Sequence, residues 1–213
     1  PMSARRQRQM CIRDRLLDSL GEMRRQQGRL EESLAHHTEA LRRFVRYGSR
    51  SGEARALISL GKLHRLRGNL SEAAERFAQA RRIWVRAGDL DSAARLSGNL
   101  GKLMHLQGRL AEAERHFQDA VDGAQRGGRR TAEALWVSCL ATLLHNQGAF
   151  GPAMLRYQEA HAIAESVKLE RLCSLWQSQM GYLLVQQGRL DAAAERLHDC
   201  LLYTSDAADE HSW

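Results

Sequence analysis

The chain has 213 residues, of which 43% are hydrophobic, 27% charged and only 6% aromatic, with 17 Gly against 2 Pro and a net charge of +7. That length holds one or two domains with a buried core, and no run approaches the roughly twenty apolar residues of a membrane span. Four Cys exclude a disulfide-dense secreted scaffold, while the basic balance points to an acidic partner.

The two ends read as foreign to the rest. Residues 5–15 and 200–210 back-translate into DNA strings that are reverse complements of one another, an inverted repeat that protein physics does not require. Both strings resemble the transposase adapters used to fragment DNA for sequencing. Residues 1–15 and 200–213 are therefore expected to be adapter-derived and are set aside as tags and fusion scars are, leaving 16–199 as the structured array. The head carries five Arg and one Asp and the tail two Asp and one Glu, so the remainder keeps a charge of +6, with Cys139, Cys173 and Pro152. The basic N-terminal arm drops out as a nucleic-acid tail, and with it any evidence about targeting. A cytoplasmic location is the default expectation.

One period organises what remains. Gly28, Gly68, Gly108, Gly148 and Gly188 recur every 40 residues. Seven residues before each stands Gly21, Gly61, Gly101, Ala141 or Gly181. Five residues after each comes Ser33, Ala73, Ala113, Ala153 or Ala193, and four further on His37, Phe77, Phe117, Tyr157 or Leu197. Ala40, Ala80, Ala120 and Ala160 follow; at the fifth site that place is Cys200, where the pattern breaks at the expected adapter junction.

Each unit reads as two antiparallel helices. In the second unit, helix A spans 53–66, with Leu57, Leu60, Gly61 and His64 on one face. Gly68 supplies the left-handed residue past its end. Leu70 is expected to staple the entry of helix B, Ser71 to cap it, and Glu72 to favour the positive end of its dipole. Ala73, Phe77 and Ala80 then form a seam of small and large residues that lets two helices approach closely. The same turn recurs at Gly108-Arg109-Leu110 and Gly188-Arg189-Leu190. In the fourth unit it becomes Gly148-Ala149-Phe150, with Pro152 in the first turn of helix B, where its missing donor costs nothing. Gly48, Gly88 and Gly128 mark the turns between units, and Lys168 takes that place once.

These residues resemble the tetratricopeptide repeat. The leucine–small pair of helix A is matched by Leu20-Gly21, Leu60-Gly61, Leu100-Gly101, Leu140-Ala141 and Met180-Gly181. The alanine, aromatic and second alanine of helix B are matched by Ala73/Phe77/Ala80, Ala113/Phe117/Ala120 and Ala153/Tyr157/Ala160. The family's closing proline is missing, and each unit is longer than the common form of roughly 34 residues. Such longer units look like those of large bacterial regulators and signalling proteins, kinesin light chains and modulators of heterotrimeric G-protein signalling. The resemblance implies an all-α fold, a right-handed α-solenoid of about 4.6 units across 16–199. It also implies a non-catalytic protein-interaction scaffold, a fragment of a larger regulatory or signalling protein.

By the same resemblance, the A helices line a concave surface. The inward stripe is then Arg55, Ile58, Lys62 and Arg65 in the second unit and Arg95, Gly98, Lys102 and His105 in the third. It continues as Leu135, Ser138, Thr142 and His145 in the fourth, and Leu175, Ser178, Tyr182 and Val185 in the fifth. Asn99 and Asn146 sit at its edge, where an amide both donates and accepts toward a peptide backbone. The expected peptide-binding set is Arg55, Ile58, Lys62, Arg65, Arg95, Asn99, Lys102, His105, Thr142, Asn146 and Tyr182. The surface is graded from cationic to apolar, and a protein or peptide partner with acidic residues near Arg55, Lys62, Arg95 and Lys102 fits its charged end. The family's clamp for C-terminal carboxylates is not matched residue by residue.

Other chemistry is weaker. No His, Cys and carboxylate group has metal-ligand spacing within a turn, so no metal or cofactor is expected; His105 and His145 share a column as lining. Trp136 and Trp176 are expected to pack between repeats, and Cys139 and Cys173 to be small buried hydrophobes. There is no phosphate loop following a strand, no Gly-x-Ser-x-Gly elbow and no isolated carboxylate pair, which points away from an enzyme. An alternative is a sensor segment that binds a small effector or a domain of its own chain. Nucleic acid is disfavoured because aromatic residues do not interleave with the cations. Uncovered faces at Leu16, Leu17 and Leu20, and at the cut end near Asp199, would favour self-association.

Overall fold

A computed structural model describes residues 16–198; the segments expected to be adapter-derived and the expected break at Cys200 lie outside the described residues. Every described element is an α-helix: α1 (16–26), α2 (Leu30–Arg46), α3 (Arg50–Leu66), α4 (Leu70–Arg86), α5 (Leu90–Leu106), α6 (Leu110–Arg126), α7 (Arg130–Asn146), α8 (Phe150–Ser166), α9 (Glu170–Gln186) and α10 (190–198). The odd-numbered helices are the A helices of the repeats and the even-numbered ones the B helices. The result is an all-α repeat solenoid. It divides into two compact units, Pro1–Leu103 and Met104–Trp213.

The spacing follows from one turn used again and again. After α3 the backbone N–H of Gly68 bonds the carbonyl of Arg65 and that of Asn69 bonds the carbonyl of His64, at 3.1 and 2.9 Å. This pair of bonds satisfies the carbonyls left over at a helix C-terminus and requires a left-handed residue at the turn. Gly68 has φ +79°, and its counterparts from Gly28 to Gly188 are all positive. At the one turn without glycine, Lys168 takes φ +55° itself. Helix B starts two residues earlier than the capping signal suggests. Asn69 is the N-cap of α4, no side-chain cap forms, and Ser71 lies inside the first turn instead of capping it. At α5, by contrast, Asp89 Oδ1 accepts from the Ser92 backbone N–H at 2.9 Å, a true side-chain cap. Pro152 falls in the first turn of α8, as its missing N–H allows.

Between the helices of a repeat, small residues of A receive large residues of B. A Cβ placed on Gly61 would lie 2.7 Å from the Phe77 ring, one on Gly21 would lie 2.7 Å from His37, and one on Gly181 would lie 2.7 Å from Leu197. Ala73, Phe77 and Ala80 of α4 are buried, as are Ala113, Phe117 and Ala120 of α6 and Ala153, Tyr157 and Ala160 of α8. Trp136 and Trp176 are buried on α7 and α9. Cys173 is buried too, but Cys139 is only half-buried, because its position faces the edge of the A-helix surface. Leu16 and Leu20 are exposed as expected, whereas Leu17 packs against the cluster of Ala40, Phe44 and Ala56.

Gly61→Val should lower unfolding stability by about 1–3 kcal/mol, since the Phe77 ring sits in a packed core with no room to yield. Lys168→Gly should instead be neutral or stabilising by up to about 1 kcal/mol, by releasing left-handed strain. Urea denaturation of both variants measures the contrast.

Candidate binding face on the A helices

In the first unit, the exposed cations stand on two A helices. Arg55, Lys62 and Arg65 are exposed on α3, and Arg95 and Lys102 on α5. Ile58 and Asn99 are half-buried beside them. Gly98, one step of the expected stripe, is buried and contributes no side chain. Helix periodicity produces this arrangement: Leu57, Leu60, Gly61 and Leu63 turn into the core, which leaves 55, 58, 62 and 65 outward.

The cationic face ends at α1. There the equivalent positions carry Asp18, Glu22 and Arg25. Glu22 accepts from Arg25 Nε at 2.9 Å, and that bond, with a lesser pull from Lys62, holds its carboxyl below the usual carboxylate range. Asp18 Oδ1 lies 2.8 Å from Nδ1 of the fully buried His37, which occupies the aromatic position of its repeat. Neither acidic residue was singled out by the repeat pattern, because both stand where later repeats hold Ile58 and Lys62.

In the second unit, the columns meet through side chains. Asn146 Nδ2 donates to His105 Nε2 at 2.9 Å, and His145 Nε2 donates to Gln186 Oε1 at 2.6 Å. Each bond joins an A helix to the next, at a sequence separation of 41. The His145 ring also lies 5.9 Å from the rings of Tyr182 and of Phe150, centroid to centroid. His105 and Asn146 of the expected set thus form one pair, and Tyr182 a second group with His145, which Gln186 and Phe150 join unforeseen. A polar residue recurring at i and i+41 is the signal that marks them. Thr142 is exposed, but its hydroxyl bonds the Ser138 carbonyl at 2.9 Å and pairs with the Tyr157 hydroxyl at 3.0 Å. Its role here is to anchor Tyr157 where other repeats place phenylalanine.

Among the described residues, no group of three or more His, Cys, Asp and Glu side chains is placed to hold a metal ion, and no helix is long and apolar enough to cross a membrane. What remains is a helix-turn-helix repeat protein with an exposed surface on its A helices.

The comparisons with known proteins agree with that class. The tetratricopeptide repeat model matches residues 14–84 and 68–126. The chain belongs to the tetratricopeptide repeat family. No curated protein matches it by sequence. Among solved structures it is similar to BtubC (BKLC) from P. vanneervenii, with a TM-score of 0.81 at 18% identity over 90% of this chain and 80% of that one. Aspartyl phosphate phosphatase F from Bacillus subtilis gives a TM-score of 0.85 at 13% identity, over 94% of this chain but 53% of its own length. A Rap protein complexed with Competence and Sporulation Factor gives 0.71 at 13% identity, over 91% and 54%. At these identities the likeness is one of fold.

His64, at the inner end of α3, offers a pH-dependent handle. Burial, and then the neighbouring Arg76, push its imidazole below the usual histidine value, and its Nδ1 is buried with no hydrogen-bond partner. The folded state therefore takes up this proton less readily than the unfolded chain. Stability contributed by the neutral ring is present above the ordinary histidine range and is lost as pH falls through it. Thermal unfolding between pH 7.5 and 5 should show a shallower loss of stability for His64→Leu than for the unaltered chain.

Proposed function

We propose that the chain is a protein-interaction scaffold that binds a partner segment carrying acidic residues on the exposed A-helix face of its first unit. The observation that carries this reading is the exposure of Arg55, Lys62, Arg65, Arg95 and Lys102 on α3 and α5 together. Scattered surface cations keep a helix soluble, but here they repeat at matching positions: Arg55 with Arg95, and Lys62 with Lys102. A carboxylate brought to such a column forms charge-assisted bonds, which are shorter and stronger than neutral ones. The summed field also steers an acidic segment toward the face before contact. Half-buried Ile58 and Asn99 between the cations supply apolar contact and an amide for the bound backbone.

Leu57, Leu60 and Leu63 of α3 and Leu96, Leu100 and Leu103 of α5 are buried, so on the face between Arg55 and Lys102 the contacts are mainly charged and polar, with Ile58 as the apolar exception. Phosphate backbones would satisfy the same charges, yet the first-unit face offers no aromatic ring on which a base stacks. A protein segment is the better fit. The complex of the Rap protein with Competence and Sporulation Factor supports this reading by fold likeness, as a repeat array of the same class holding a factor.

The test uses a fluorescein-labelled 15-residue peptide rich in Asp and Glu, with binding followed by anisotropy. Lys62→Glu together with Lys102→Glu should weaken binding about tenfold or more with unchanged helicity by circular dichroism. Unchanged binding would overturn the site. A random single-stranded oligonucleotide, titrated against salt in parallel, should bind more weakly than the peptide at every salt concentration; the reverse order would move the reading to nucleic acid.

A further inference from the structure

The second unit carries a face of different chemistry. From Ala134 to Asn146 on α7, and from Leu172 to Gln186 on α9, the sequence has no Asp, Glu, Lys or Arg. These helices are nonetheless open to solvent on one side. Leu135, Leu175, Tyr182 and Val185 are 40–54% exposed. Leu135 and Leu175 stand at the repeat positions that hold Arg55 and Arg95 in the first unit, and Tyr182 at the position of Lys62 and Lys102. A solvated helix face gains nothing from replacing cations with leucine and tyrosine, whereas a face that is covered by a partner does.

The polar groups on this face are arranged in a particular way. Because the Asn146 NH2 group donates to His105, that contact leaves the Asn146 carbonyl oxygen as an acceptor. Because the Gln186 carbonyl oxygen accepts from His145, that contact leaves the Gln186 NH2 group as a donor. Consecutive A helices thus offer one acceptor and one donor, each amide oriented by an imidazole. An extended main chain has N–H and C=O groups that need such partners when covered; a helix satisfies its own.

We infer that this face binds an extended, uncharged partner segment rich in aliphatic side chains, seated on Leu135, Leu175, Tyr182 and Val185 with its backbone bonded to Asn146 and Gln186. A charged residue in the segment would be desolvated here without a counter-charge, which is why the occupant is uncharged. The inference rests on the reading that exposed A-helix columns are the binding surface, but not on the acidic character of the first-unit partner.

The full chain, selected against a display library of random 12-residue peptides, should enrich uncharged, aliphatic-rich sequences as well as acidic ones. A synthetic peptide of the enriched uncharged class should bind about tenfold or more weakly to Leu175→Glu/Val185→Glu, with helicity unchanged because both positions are exposed, and equally well to Lys62→Glu/Lys102→Glu. Three results would overturn the inference: no enrichment of uncharged peptides, enrichment only of sequences with helical apolar spacing, or equal binding to the Leu175→Glu/Val185→Glu variant. Sedimentation showing a dimer that this same variant abolishes would also overturn it, by making a second copy the occupant. Failure of the acidic peptide alone would remove the first-unit reading and leave this one standing.

Discussion

Everything regular in this protein depends on one backbone constraint, the left-handed residue that closes each helix. A helix ends with carbonyls lacking partners, and here two of them are taken by the N–H groups of the next two residues. That geometry fixes the exit direction of the chain, so helices of equal length are returned antiparallel. Described in full, α2 to α9 are each 17 residues long with three-residue connections. A column of side chains at a 40-residue spacing follows, and only a column makes a repeated surface. Lys168 shows the strength of the constraint: with no glycine available, a lysine accepts φ +55° and the bonds still form, with Lys168 N–H reaching the Glu165 carbonyl at 3.0 Å.

The packing between helices is then specified by variation on a constant scheme. At the joint from a B helix to the following A helix, positions 16 apart hold Arg81 and Ser97, then Val121 and Val137, then His161 and Gln177. Arg81 Nε donates to the buried Ser97 hydroxyl at 2.8 Å, the two valines are both buried, and His161 Nε2 lies 3.1 Å from Gln177 Nε2. Polar and apolar joints alternate along these three. A Ser97 set against a valine, or a Val137 set against an arginine, would leave a buried polar group without a partner. Such mismatches penalise repeats that pair out of order, a recurrent hazard in arrays of similar units.

The fold was legible in the sequence because it is periodic. The glycine column, the small column and the aromatic column each report one feature of a repeat, and their agreement across five units fixes the architecture. What the pattern missed are departures from the columns. Ser71 has the composition of a cap but sits within the helix, where the Ala73 N–H it would have capped already bonds the Asn69 carbonyl at 3.0 Å. His37 appears as a poor substitute for phenylalanine, yet Asp18 on the neighbouring helix bonds its ring. Of the expected stripe, Arg55, Lys62, Arg65, Arg95, Lys102, Leu135, Thr142, Leu175, Tyr182 and Val185 are exposed, Ile58, His105, Ser138, His145 and Ser178 are half-buried, and Gly98 is buried. The lateral bonds of His105, His145, Asn146 and Gln186 were not visible, because they join columns one residue apart and single-column reading does not compare them.

The change from cations to neutral side chains along the A helices carries a physical consequence for binding. Exposed charges accelerate encounter but contribute modestly once water and salt screen them. Exposed aliphatic groups do little at a distance and contribute in proportion to the area they lose on contact. On the proposed reading, the charged face would act mainly on the rate of encounter with its own partner, and the neutral face on the area buried by its own. Within the second unit, each amide of the proposed face is already bonded to an imidazole, which would leave less ordering to be done on binding. The alternating regularity of the repeats is what permits this, because a column can change its chemistry without altering the turns that place it.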